Sequence, residues 1–294
     1  MLCKKGNLKF LKNALTSCNC RNFHQSSAFN RGFFEQYRRG TIPPEIHDKP
    51  WQEHIKEGRK IFVQECKLWV DEVKEKFRQD RKLYQHGDTD VFFRFDNKEC
   101  LKKWRVGSDK INNEGFSDCH FTINDKGKGV FYGNIDTTPP KDGKSRFAGY
   151  CGIKSTRKTK SFMREDCYFW DWFTHLELRV KGDGRGYAIN LGLGLYYDVT
   201  WFSTFTYPMY TRGGPYWETI RIPFSKFFMQ SKGRIQDRQE RIPLNKVNSV
   251  GITAATVPGP FHLEIDYIGC HKDDSFKEKC AYEMYKIPKE LVTD

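Results

Sequence analysis

Four acids that could form a hydrolytic pair stand close together in the chain. They are Glu165, Asp166, Asp171 and Glu177. Hydrolysis of a glycosidic bond needs an acid and a base that face each other about 5–9 Å apart. Sequence spacing does not create that geometry, and loop acids are usually solvated. We therefore interpret these four as surface carboxylates and assign no catalytic residue among them.

Histidines and cysteines offer the other reactive side chains. His175 and His262 fall in strand-like segments without the Ser, Cys or Asp pattern of a triad, so we expect hydrogen-bonded structural histidines. The chain has 10 cysteines but no C-x-x-C pair, which argues against both a disulfide framework and a zinc knuckle. Cys119-His120 and Cys270-His271 could supply four metal ligands. We interpret each pair as a packed thiol beside a surface imidazole, and we predict neither metal nor cofactor.

The glycine-rich run Gly182-Asp183-Gly184-Arg185-Gly186 resembles a phosphate-binding loop only superficially. A dinucleotide-binding turn must open a helix whose N-terminus faces the pyrophosphate. Here the next residues, 187–191, alternate as a strand does. The run therefore predicts a hairpin turn, for which glycine supplies the positive-φ backbone.

An aromatic run is the strongest candidate for a partner-binding surface. Its members are Trp170, Trp172, Tyr196, Trp201, Phe205, Tyr207 and Tyr210. Alternation along a strand places Trp201, Phe205 and Tyr207 on one face. Such rings stack on sugars or anchor protein partners. The alternative is that they belong to a ring-rich core. Nucleic acid is not an expected partner, because no nucleic-acid motif accompanies the rings.

Much of the net charge of +13 belongs to the N-terminal segment. Lysines and arginines occur there with no acid before Glu35, and Leu8, Leu11 and Leu15 share one helical face. The segment predicts a mitochondrial transit peptide over residues 1–30, processed after Arg21-Asn22-Phe23-His24-Gln25-Ser26. The alternative is a disordered basic tail. No apolar run reaches 18 residues, so any membrane contact is expected to be peripheral.

Residues 31–87 predict a linker followed by one amphipathic helix from Trp51 to about Tyr84. An apolar stripe repeats at helical spacing in Phe62, Cys66, Trp69, Val73 and Phe77, with Ile55 one heptad before it. The stripe either docks a partner or packs on the chain's own sandwich. We favour packing on the sandwich, because exposed rings promote aggregation.

Residues 88–272 alternate almost entirely between strand and turn. Eleven strands are predicted, at 91–95, 102–106, 118–124, 128–133, 147–154, 174–180, 186–195, 199–207, 216–222, 247–254 and 261–268. Short strands without intervening helices predict a mainly β fold, a β-sandwich of the jelly-roll kind. Basic residues enrich the loops at 155–168 and 229–244. A mixed-charge tail follows at 273–294.

Several segments resemble one known family, the complex I intermediate-associated proteins. The resemblance rests on Phe95-Asp96-Asn97, Trp104, Gly127 to Gly133 (GKGVFYG), Arg179 to Tyr187 (RVKGDGRGY), Trp217 to Phe227 and Phe261 to Gly269 (FHLEIDYIG). It spans roughly residues 90 to 270. It implies a galactose-binding-like β-sandwich that acts by binding rather than by catalysis.

The resemblance also implies a function. It predicts a non-enzymatic, chaperone-like assembly factor for mitochondrial respiratory complex I, in the matrix and peripheral to the inner membrane. Implied partners are assembly intermediates and other assembly factors, including an acyl-CoA dehydrogenase-like protein and an adaptor protein. In this reading, basic loops steer acidic partners or anionic lipid. The alternative is a lectin domain like a carbohydrate-binding module, for which the aromatic run would provide the platform.

Overall fold

The computed structural model describes residues 51–78, 83–141, 148–194, 203–231, 234–237, 239–255 and 257–278. The predicted transit peptide and linker, and Tyr196 and Trp201 of the aromatic run, lie outside these residues. Helix α1 spans Trp51–Arg78. The strands are β1 (Thr89–Arg94), β2 (Trp104–Ser108), β3 (Asp118–Ile123), β4 (Gly129–Ile135), β5 (Tyr150–Ser155), β6 (Thr159–Lys160), β7 (Arg164–Glu165), β8 (His175–Lys181), β9 (Gly186–Leu193), β10 (Ser203–Tyr210), β11 (Glu218–Pro223), β12 (Phe228–Ser231), β13 (Arg234–Ile235), β14 (Val247–Ala255) and β15 (Gly259–His271).

The strands form two antiparallel sheets and one small hairpin. The first sheet has six strands in the order β11-β8-β15-β4-β3, with β1 beside the later part of β15. The second has seven strands in the order β13-β12-β10-β9-β14-β5-β2. Strands β6 and β7 pair only with each other. The prediction of a mainly β sandwich preceded by an amphipathic helix is confirmed.

The core lies between the inner faces of the two sheets. Leu178 of β8, Ile189 of β9 and Val250 of β14 are completely buried, as strand alternation requires of inward positions. Rings fill much of the remaining space, and Phe131 and Phe261 lie 4.8 Å apart between their centroids. No residue of α1 belongs to the core within the part of the chain that the structure describes.

Each of the eleven predicted strands has a counterpart, with boundary shifts of a few residues. Pro223 ends β11, as expected of a residue that cannot donate to a ladder. Strand β2 begins at Trp104 rather than at 102, because a 3-10 helix occupies Lys98–Lys103. The side chain of Asn97 caps that helix by accepting from the backbone N–H of Cys100.

Candidate binding surface

Helix α1 contacts the β6–β7 hairpin through two acids on one flank. The Glu65 carboxylate accepts from the backbone N–H of Phe162 at 2.5 Å. Glu72 accepts from the N–H and hydroxyl of Ser161, at 2.5 and 3.1 Å, and pairs with Arg164 at 2.5 Å. The hydrogen bond from the Ser161 backbone lowers the pKa of Glu72, with Arg164 contributing. Charge-assisted hydrogen bonds therefore fix the orientation of the helix.

The apolar stripe of α1 remains largely exposed. Phe77 is 81% exposed, Phe62 60% and Trp69 48%. Among the described residues, the stripe meets the hairpin where Phe62 approaches Phe162, with ring centroids 6.0 Å apart. The prediction that the stripe packs on the sandwich is therefore wrong. The polar flank of the helix makes the hydrogen bonds and the ion pair to the hairpin instead. The rings of the apolar stripe stay largely exposed, whereas Cys66 and Val73 are half-buried.

The predicted aromatic surface does not form a single patch. Trp170 and Phe205 are buried, at 0% and 1% exposure, so their assignment to a surface is corrected. Tyr207 is half-buried against Phe227, with ring centroids 5.6 Å apart. Phe205 and Tyr207 lie inside because the face of β10 that carries them is the one that packs on the core.

Only Trp172 and Tyr210 of the described members are exposed, at 62% and 76%. Trp172 precedes the start of β8, whereas Tyr210 pairs with Gly186 beyond its end. The two rings therefore lie at opposite ends of the sandwich. They cannot grip one ligand together.

The basic loop at 155–168 is largely neutralised within the chain. Lys158 and Lys160 each approach Asp166 at 2.8 Å, and Arg164 pairs with Glu72. Burial raises the pKa of Asp166, but the two lysines outweigh it and leave that pKa below its usual range. The prediction that this loop offers its cations to a partner does not hold for these residues.

The acids considered for hydrolysis do not form a working pair. Asp166 is held by its two lysines, while Glu177 is buried and accepts from Arg221 at 2.7 Å and from the Tyr267 hydroxyl at 2.9 Å. A buried carboxylate with these hydrogen-bond partners belongs to a structural ion pair. Burial lowers the pKa of His175.

The two Cys-His pairs do not converge. In the described ranges, no group of three or more His, Cys, Asp or Glu is arranged to hold a metal ion. Cys119 faces Cys151 between the sheets, and Cys270 is fully buried, as expected of packed thiols. The predicted surface imidazole is wrong for His271, which is buried and contacts the Thr89 hydroxyl at 2.9 Å.

The RVKGDGRGY motif forms a clasp at one end of the sandwich. The Asp183 carboxylate accepts from the N–H of Arg185 at 3.0 Å, from the Tyr187 hydroxyl at 3.0 Å and from the N–H of His262 at 2.8 Å. Arg185 in turn donates to two carbonyls of the loop before β15, at 2.8 and 3.0 Å. The motif therefore joins the two sheets. Gly184, at φ +90°, makes a turn with the positive-φ backbone expected of glycine. The predicted hairpin is wrong, because β8 and β9 belong to different sheets and the turn carries the chain from one sheet to the other.

A second buried acid anchors the loop after β2. Asp109 accepts from the N–H and hydroxyl of Ser117, at 2.8 and 3.0 Å, and from the N–H of Gly149 at 2.8 Å. A Cβ on Gly115 would lie 2.2 Å from the Asp109 carboxylate. Asp183 and Asp109 therefore account for the sequence motifs around them through their hydrogen bonds within the fold rather than through ligand binding.

Fold and surface together define a β-sandwich protein whose exposed rings and aliphatic side chains concentrate on an attached helix. The chain matches the family described as Complex I intermediate-associated protein 30 (CIA30) over residues 93–265. That match covers more than half of the chain, so the protein belongs to this family.

Relatives from several animals support the assignment. The "Complex I intermediate-associated protein 30, mitochondrial" of Drosophila melanogaster is 41% identical over 271 residues, covering 91% of this chain and 92% of the relative. The Caenorhabditis elegans protein described as probable is 43% identical, over 73% of this chain and 64% of the relative. The Mus musculus protein is 40% identical, over 66% and 59%.

Solved structures that resemble the chain include carbohydrate-binding modules of Clostridium thermocellum. The family 11 module of the cellulase Lic26A-Cel5E has a TM-score of 0.44 and 15% identity, covering 64% of this chain and 96% of the module. A family 30 module of cellulase Cel9D-Cel44B has a TM-score of 0.37 and 14% identity, covering 65% and 96%.

In the described residues, no helix is long and apolar enough to cross a bilayer.

Proposed function

We propose that this protein is a non-enzymatic, chaperone-like scaffold in the assembly of mitochondrial respiratory complex I. The observation that carries the proposal is family membership, with a fly relative that is 41% identical over nearly its whole length. The relatives are named for complex I intermediates and as mitochondrial. We extend both properties to this chain, and place it in the matrix, peripheral to the inner membrane.

The surface chemistry supports binding rather than turnover as the mode of action. The exposed rings of α1, among them Phe62, Trp69 and Phe77, present apolar area of the kind that holds an incompletely assembled partner. The buried acids Asp109 and Glu177 and the partly exposed Asp183 all serve the fold. Assembly intermediates are the proposed partners, together with an acyl-CoA dehydrogenase-like protein and an adaptor protein, and no nucleic acid.

The lectin alternative loses much of its support. It depended on a face of β10 with exposed rings, but Phe205 is buried and Tyr207 packs on Phe227. The outward face of that strand carries Thr206, whose hydroxyl donates to Asn190 at 2.7 Å. A glycan array with the purified protein tests this alternative, and saturable binding to any glycan would restore it.

Depletion of the protein followed by complementation tests the assembly role. We expect loss of assembled complex I on native gels, accumulation of smaller intermediates, and rescue by the wild-type chain. Trp69→Ser/Phe77→Ser should rescue less well than Trp172→Ser, because Trp172 is an exposed ring away from α1. Normal complex I after depletion would refute the proposal, whatever the variants do.

A further inference from the structure

Two stripes run side by side along α1 and differ in chemistry. The apolar stripe includes Ile55, Phe62, Trp69 and Phe77 at helical spacing. Five basic residues form the second stripe: Lys56, Lys60, Lys67, Lys74 and Arg78. Four of them directly follow Ile55, Cys66, Val73 and Phe77 in the sequence. One position along a helix corresponds to a rotation of about 100°, so the basic stripe adjoins the apolar one on a single side.

The strip of surface between the two stripes is also apolar. Val63 and Val70 directly follow Phe62 and Trp69, and they are 46% and 42% exposed. All five basic side chains are exposed as well. The outward side of α1 is therefore a largely apolar sector with five cations along one margin. Two further exposed cations interrupt this pattern: Arg59 lies within the sector and Lys76 at its other margin.

The acids of α1 whose side chains are described lie toward the hairpin. Glu65 and Glu72 each follow a ring of the apolar stripe by three positions, which places them on the opposite margin from the lysines. Both bind the β6–β7 hairpin. With Asp71 and Glu75 they line the cavity of about 290 Å³ between the helix and residues 159–161. Docking on the hairpin thus turns Glu65 and Glu72 inward and leaves the cations outward. Asp71 and Glu75 stay exposed, and Asp71 pairs with Lys74 at 3.4 Å.

We propose that α1 is a membrane-surface helix, which lies in the interface of an anionic bilayer with its apolar sector inserted and its lysines over the lipid phosphates. A helix of 28 residues is about 42 Å long, so rings and cations are distributed along a line rather than gathered around a pocket. An apolar sector with a basic margin is the pattern of interfacial helices, which combine apolar burial with attraction to anionic headgroups. The inference rests on the proposed place of the protein at the inner membrane and names the element and the lipid chemistry responsible.

Vesicle flotation tests the inference directly. The protein is purified from mitochondria through a C-terminal tag, so that any import leader has already been removed. It is mixed with phosphatidylcholine vesicles that contain or lack cardiolipin. We expect flotation with the anionic vesicles, weakened by added salt because surface charges are screened.

Matched variants separate the helix from general charge. Each basic residue near an anionic surface contributes about a fivefold factor to binding, so Lys60→Glu/Lys67→Glu should lower the partition coefficient by roughly 30-fold or more. The control Lys126→Glu/Lys141→Glu makes the same change in net charge at two exposed sites of the sandwich and should bind as wild type. Trp69→Ser/Phe77→Ser should also lower binding, since it removes the inserted rings. Equal binding by both charge variants would overturn the inference.

Photo-crosslinking in mitochondria distinguishes lipid from protein as the occupant. A photoreactive residue replacing Trp69 should form adducts with lipid. Adducts with protein alone would overturn the inference. So would a chain that restores complex I but floats with no vesicle, and this result would leave the proposed function standing. A chain that binds vesicles through α1 but does not restore complex I would support the inference and refute the proposed function.

Discussion

Replacing Asp183 with alanine should destabilise the sandwich by about 3 kcal/mol. The carboxylate accepts three hydrogen bonds, and its side chain is 21% exposed. Two of the donors join different parts of the fold: the hydroxyl of Tyr187, which is 1% exposed, and the N–H of His262 at the start of β15. Each hydrogen bond to a charged group contributes about 1.5–3 kcal/mol, so the loss of these two bonds accounts for the expected destabilisation. The third bond, from the N–H of Arg185, matters little because water can replace the carboxylate as its acceptor.

Urea unfolding of the wild type and two variants measures this effect. Asp125→Ala is the matched control, since it removes an exposed turn aspartate from the β3–β4 hairpin and should change stability by less than about 0.5 kcal/mol. The Asp183→Ala midpoint should fall with an unchanged m-value, and the melting temperature should drop by roughly 6–12 °C. A loss below about 1 kcal/mol, or one equal to that of the control, would refute the clasp interpretation.

Three further predictions follow from burial and ring environment. Trp217→Ala should cost only about 1 kcal/mol in urea unfolding, because Trp217 is half-buried and its ring mainly meets Arg179 and Lys181 at 5.9 and 6.0 Å. Trp170→Ala should cost about 3–5 kcal/mol, because Trp170 is completely buried. Equal losses of stability in the two variants would contradict the placement of Trp170 in the core and of Trp217 near the surface. Burial raises the pKa of Tyr84 and of Tyr168 to about 12, above the ordinary value of 10.0. The contribution of these two tyrosines to stability is therefore complete below pH 10 and lost as the pH rises toward 12. The Tyr168→Phe variant should show a smaller fall of the unfolding midpoint with pH. A midpoint that stays constant between pH 10 and 12 in the wild type would contradict this prediction. In timed alkylation read by mass spectrometry, Cys66 and Cys100 should react well before Cys151 and Cys270, which are fully buried. Early labelling of Cys270 would show that the end of β15 opens locally.

The sandwich was predictable because strand alternation and turn residues agree along the chain. Gly133 illustrates the agreement: it closes the GKGVFYG motif, and a Cβ there would lie 2.2 Å from the carbonyl oxygen of Asp118. The predictions missed β6, β7, β12 and β13, which fall in segments predicted as loops. Strands of only two to four residues are too short to show the alternation of apolar and polar side chains.

The binding surface was only partly predictable, for a different physical reason. Helical spacing identified which residues of α1 share a face, but it could not show that Glu65 and Glu72 would meet the hairpin and turn that face outward. Strand alternation likewise grouped Phe205 with Tyr207 but could not show which side is inner. The outcome depends on Thr206 and Asn190, which bond to each other on the opposite side. Long-range pairing decides this, and sequence periodicity carries no record of it.

The predicted helix also extended too far, to Tyr84. The helix ends at Arg78 in the described residues, and residues 83–85 are irregular. Tyr84 is committed to the sandwich instead, where its ring lies 4.6 Å from that of Phe173 and its hydroxyl donates to Asp90 at 2.5 Å. A packed ring and a charge-assisted hydrogen bond hold Tyr84 on the sandwich rather than in a marginal extension of the helix.

The position of β15 has a consequence for how the protein comes into being. This 13-residue strand pairs with β8, β4 and β1, yet it is synthesised after every other strand that the structure describes. A ribosome releases every other member of the six-stranded layer first, and β8, β4 and β1 must wait without the strand that pairs with all three. Unpaired edges of that kind invite aggregation, and distant pairings form slowly. A protein proposed to guard unfinished assemblies is thus itself vulnerable until β15 is made.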